Sequence, residues 1–255
     1  ILRDYPDYEY ADGTYYMLGY CLSESSSAQY DEEEGLAVFQ GLVSRFGESR
    51  FAPVAHLRIG EYYFDYNKLD EAIPHYRRVV ELEGPEGSLY DEGLYKLAWS
   101  QYKKSDYGDA LVLLNQLLDW SEDNYARTGR ESSMAPEAID YTAISFSDLA
   151  DRESVSPLAI AQRFYGDVGA RDYEAKVYKK LADVLTQQAR YEDSVSVYRY
   201  IQDRWPNDAE NPTYQWTLAT LYMSMVPARV TEAQAAIAQL NTMYNDESTW
   251  WEANR

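Results

Sequence analysis

A small residue recurs at near-constant intervals along the chain: Gly19, Gly60, Ala98, Ala143, Ala182 and Ala219, with spacings of 41, 38, 45, 39 and 37. In the cleaner copies a second small residue follows twelve positions later, at Ala72, Ala110 and Ser194. Large apolar residues stand four and seven positions beyond it: Tyr76 and Val79, Leu114 and Leu117, Tyr198 and Ile201. Intervals of three, four and seven place these residues on one helical face. The twelve-residue step crosses short polar turns at 65–68, 104–107 and 188–191, as an antiparallel helix pair requires. Two small residues let paired helices approach closely, and large side chains fill what remains. One such pair cannot bury its apolar face alone, whereas stacked copies can.

The expected fold is therefore all-α: a right-handed α-α superhelix of about six helix-turn-helix repeats. Copy one carries an insertion at 23–30 between its helices. Copy four has a long inter-helix stretch in which Pro157 is placed to open its second helix. Copy six has Pro227 in its turn and Ala233, Ile237 and Leu240 on its second helix. A polar linker is expected over Ser121 to Ser133, so the array divides into an N-terminal segment, 1–125, and a C-terminal segment, 126–255. Ile1 precedes Pro6 by five residues, as Ile201 precedes Pro206. The chain is thus expected to start inside the last helix of an earlier repeat. Trp250-Trp251-Glu252-Ala253 is expected to begin a seventh first helix, so the whole is expected to be a fragment of a longer array.

Pro53 to Glu86 resembles a tetratricopeptide repeat through Ile59, Gly60, Tyr63, Ala72, Tyr76 and Val79. Ala175 to Asp208 resembles one through Tyr178, Leu181, Ala182, Leu185, Ser194, Tyr198, Ile201 and Pro206. The tyrosine-proline spacer between repeats resembles that of bacterial envelope members of the family, the Tol-Pal-associated and outer-membrane-assembly proteins. That resemblance implies a periplasmic setting.

Composition narrows the function. The net charge is −20, with the acidic excess concentrated in residues 1–150, which argues against nucleic acid and anionic membrane surfaces as partners. No apolar run approaches the length of a membrane span. One Cys and two His leave no cysteine/histidine zinc site. No phosphate-binding glycine loop or nucleophile elbow exists, and no carboxylate pair stands out as an acid/base couple. Catalytic residues, metal sites and cofactors are therefore not expected. Cys21 reads as a small buried hydrophobe, and His56 and His75, on the two helices of copy two, read as packing or surface residues that could be neighbours. Asp31 to Glu34 head a helix, where acids are favoured.

The resemblance implies that first helices line a groove that receives a partner segment. Carried onto this sequence, the groove positions are Tyr16 and Tyr20 in copy one, and Leu57, Glu61 and Phe64 in copy two. Copy three adds Glu92, Tyr95, Trp99 and Tyr102. Further along they are Lys176, Lys179 and Trp216. The expected function is a non-catalytic protein–protein interaction scaffold whose acidic, aromatic groove takes a protein or peptide segment of basic character. The alternatives are a regulatory or substrate-binding arm of a larger enzyme or envelope machine, and a metal- or glycan-binding solenoid.

Overall fold

The computed structural model describes residues 8–255. The expected partial helix before Pro6 lies outside the described residues. Among those described there are thirteen helices and no strand. They form two compact units, Ile1–Ala138 and Ile139–Arg255.

The first unit holds three helix pairs: α1 (Ala11–Ser23) with α2 (Glu32–Arg45), α3 (Ala52–Asp65) with α4 (Leu69–Glu83), and α5 (Tyr90–Lys103) with α6 (Tyr107–Thr128). Helix α7 (Ala135–Glu153) straddles the division. The second unit continues with α8 (Pro157–Val168), α9 (Glu174–Gln187), α10 (Tyr191–Arg204), α11 (Asn211–Ser224), α12 (Val230–Met243) and α13 (Thr249–Asn254). First helices of the repeats are thus the odd-numbered ones. Helix α13 falls where a seventh first helix was expected.

All six small residues of the repeat are buried. At two of them the reason for glycine is direct. A methyl group on Gly60 would stand 2.6 Å from Cε1 of Tyr76, and one on Gly19 would stand 2.7 Å from Cε1 of Phe39. One side of the ring from the second helix fills the space a side chain would take, so the pair closes around it. Gly35 is a further small position that the twelve-residue step misses, because the insertion in copy one displaces it. A methyl group there would stand 2.5 Å from Oγ of Ser23. In copy five Ser194 replaces alanine, and its buried hydroxyl donates to the carbonyl of Ala182 at 3.0 Å.

Four hairpins close the same way. Asn67, Ser105, Ser154 and Ala189 adopt positive φ between 56° and 64°. The next amide in each turn donates back across the helix end: Lys68 to Tyr63, Asp106 to Gln101, Val155 to Ala150 and Arg190 to Leu185. This is the left-handed helix stop usually built on glycine, made here with side-chain-bearing residues. Helix starts are capped where the sequence allows. Asp31 accepts from the amide of Glu34, and Ser156 accepts from that of Ala159 just before Pro157.

Three expectations need correction. Copy four has no long inter-helix stretch, because α7 runs to Glu153 and α8 begins at Pro157. Ser121 to Thr128 is not linker, because α6 runs on until Gly129 takes φ 74° and stops it. Cys21 is exposed, not buried. Buried Gly19 and Leu22 fix which side of α1 faces inward, and Cys21 stands about 200° around from Gly19 at 100° per residue.

Candidate functional site

The first helices α3 and α5 meet through side chains that the groove positions named. Phe64 of α3 and Trp99 of α5 have ring centroids 4.7 Å apart, and Tyr95 stacks on Trp99 at 6.0 Å. The ammonium group of Lys103 sits 4.4 Å from the Phe64 ring centroid. Glu61 joins the two helices electrostatically: Arg58 donates to one of its oxygens at 2.8 Å, and Lys96 of α5 donates to the other at 3.0 Å. Lys96 is not among the groove positions. Its spacing of four from Glu92 would have suggested a partner on its own helix instead.

Burial separates the named residues. Leu57 is 3% exposed and Phe64 is 7% exposed, so both are core residues that hold α3 against α4 and α5 rather than surfaces for a partner. Tyr95, Trp99 and Tyr102 are half-buried, each with one side toward solvent. Tyr102 packs on Tyr107 within its own hairpin, at 5.5 Å. On α1, Tyr16 stacks on Phe51 at 4.9 Å, and Tyr20, 42% exposed, adjoins Tyr16 at 6.4 Å. Phe51 stands at the start of α3, so the tyrosine pair of copy one is tied to copy two.

Electrostatics on this face are acidic and strained by burial. Burial, and then the charge of Glu61, push the Glu92 carboxyl above the usual carboxylate range. A slot of about 150 Å³ opens beside α3, lined by Glu32, Arg58, Glu61, Tyr62 and Asp65 among others.

In the second unit Lys179 pairs with Glu210 and lies 5.8 Å over the ring of Tyr214. Its hydrogen bond to Glu210 holds that carboxyl below its ordinary value. Lys180 pairs with Asp140 at 2.8 Å, and Lys176 is exposed. Trp216 is 58% exposed and walls a cleft of about 480 Å³ with Pro212, Thr213, Leu240, Asn241 and Tyr244.

His56 and His75 are neighbours, with Nδ1 atoms 2.9 Å apart across the α3–α4 hairpin. Burial is the main cause that pushes His56 down to about 4 and lowers His75 as well. Both rings are therefore neutral at pH 7. One Nδ1–H donates to the other Nδ1. No group of three or more metal-ligating side chains is found among the described residues.

Residues 92–119 match the family described as tetratricopeptide repeat. That window covers most of α5, the turn and the first half of α6, so copy three is the stretch of the chain whose sequence is similar to a tetratricopeptide repeat. The other copies share its helix-turn-helix plan. No curated protein matches the chain. Among solved structures, the chain is similar to a putative kinesin light chain with nearly identical repeats from Podospora anserina, at 13% identity and a TM-score of 0.44. That likeness covers 92% of this chain and 96% of the other. It is similar to YrrB, described as a tetratricopeptide protein with an unusual peptide-binding site, at 12% identity and 0.38, covering 85% and 97%. It is also similar to MamA from Desulfovibrio magneticus RS-1, at 12% and 0.37, covering 74% and 93%.

Proposed function

We propose that the chain is a non-catalytic scaffold that holds a partner's segment along the first-helix face of copies one to three, within a complex of the bacterial envelope. The supporting observation is the half-exposed aromatic row of Tyr95, Trp99 and Tyr102 on α5, braced from behind by buried Phe64. Aromatic side chains held in place by packing lose little entropy on binding and carry much of the energy of protein interfaces. The surrounding acids favour a segment that bears positive charge, and their field would raise its on-rate. The envelope setting is supported by the spacer resemblance. Lys176, Lys179 and Trp216, on the first helices α9 and α11, are proposed as a second partner surface, basic where the first is acidic.

The test is site-specific photo-crosslinking in cells. A photoreactive residue at Trp99 or Tyr102 should capture a discrete protein, and one at exposed Val112 on α6 should not. Trp99→Ala, with the crosslinker at Tyr102, should remove most of that capture. Equal capture from Val112, or full capture with Trp99→Ala, would overturn the reading. The alternative is an arm of a larger enzyme or envelope machine, which would show as capture of a segment of the protein's own chain.

A further inference from the structure

We propose that Glu92, with Glu61 and the hydroxyl of Tyr76, forms a seat for one cationic side chain, a lysine or arginine, of the bound segment. The inference rests on the reading of the first-helix face as a partner surface. Its first support is an orphaned polar atom. The Tyr76 hydroxyl is fully buried and has no hydrogen-bond partner. It is close enough to Glu61, Asp65 and Glu92 to feel all three charges, which help to hold its proton on.

The repeat supplies an internal comparison. Tyr198 occupies the same position in copy five, and its hydroxyl donates to Asp183 at 2.6 Å. Asp183 follows Ala182 as Glu61 follows Gly60, so Glu61 is the acceptor expected for Tyr76. Arg58 and Lys96 take both Glu61 oxygens instead. Lys96 thereby bridges to α3, and among the described residues no hydrogen bond or ion pair reaches the carboxylate of Glu92.

The charge around the site is incomplete. Glu61, Asp65, Asp91 and Glu92 bear on it, against Arg58 and Lys96. Asp91 is already engaged by the Ser132 hydroxyl at 2.6 Å. A guanidinium or ammonium group entering beside Glu92 would meet a carboxylate with free lone pairs, a phenol oxygen able to accept, and the aromatic side of Trp99 about two turns further along α5. Lys103 over Phe64 shows the same cation–ring contact within this chain.

The experiment is an NMR titration of the full chain with acetyl-Gly-Arg-Gly-amide, following the Glu92 and Tyr76 side chains. Parallel titrations use the citrulline tripeptide and Ca²⁺ alone. Arginine should give a saturable shift at both residues and lower the Glu92 titration midpoint. Affinity should fall at least fivefold in Glu92→Gln and at least twofold in Tyr76→Phe, with both variants keeping wild-type amide spectra. Equal binding of the citrulline peptide, unchanged binding in Glu92→Gln, or tighter occupancy by Ca²⁺ would each overturn the seat. Capture from position 99 alongside any of those results removes the seat and leaves the scaffold. Arginine binding at Glu92 with no captured protein keeps the seat and removes the scaffold.

Discussion

Replacing Gly60 with alanine sets two effects against each other. In an exposed helix interior the change gains about 1 kcal/mol through helix propensity. At Gly60 the new methyl would meet three atoms of the Tyr76 ring, at 2.6, 2.8 and 3.0 Å. These are ring carbons of a fully buried side chain, not a flexible tip that can turn aside. Tyr76 is enclosed by Phe64, Val79 and Leu97, so the helices must separate or the ring must leave its rotamer. Overpacking of this kind costs about 1–3 kcal/mol, which exceeds the propensity gain at most of that range. We expect Gly60→Ala to destabilise the chain by up to about 2 kcal/mol. Gly166→Ala, on α8 with nothing within 4 Å of its added methyl, should stabilise it by about 0.5–1 kcal/mol. Urea unfolding of both variants, followed by circular dichroism and by tyrosine fluorescence, measures the pair. A Gly60→Ala protein at least as stable as wild type would refute the claim that the notch admits the ring.

The neutral histidine pair makes stability depend on acidity. Both rings bind protons less readily folded than unfolded, so their contribution is complete above about pH 6.5 and is lost as pH falls toward about 4. For half-buried rings the loss should be about 1–3 kcal/mol. It should shrink in His56→Gln/His75→Gln when urea midpoints at pH 7.5 and 4.5 are compared, and an identical pH loss in that variant would remove the pair as its cause. Tyr198→Phe should cost about 1.5–2 kcal/mol by deleting the bond to Asp183. Tyr76→Phe should cost nothing in the absence of ligand, because its hydroxyl has no partner to lose. Equal costs in thermal melts would contradict the difference drawn between copies two and five. Trp99→Ala should weaken binding of the captured partner by about 2 kcal/mol, and the remaining association rate should fall with added salt. Stopped-flow rates at two ionic strengths test this, and rates indifferent to salt would exclude steering by the acidic face.

What was legible in the sequence was the periodic part. The notches at Gly19, Gly60, Ala98, Ala143, Ala182 and Ala219 register a steric requirement for a small side chain, so their spacing places the helix pairs. Side-chain direction around a single helix was less legible. Leu57 and Phe64 fall in the core although their repeat positions point to a groove, because the next first helix leans on them. Cys21 lies outward because Gly19 and Leu22 set the inward side of α1. The length of α6 was masked by polar composition, although Gly129 gave the helix stop. The bridge from Lys96 to Glu61 joins residues far apart in sequence, which no local pattern encodes, whereas the helix-pair plan of copy two already allowed His56 and His75 to be neighbours.

The hairpin tips have an engineering consequence. Asn, Ser, Ser and Ala share one left-handed backbone conformation at the tips, so the flanking helices and not the tip residue dictate the bend. Loops lengthened at those points should leave the stacked rods undisturbed, which makes them the natural places to splice in a tag or a reporter.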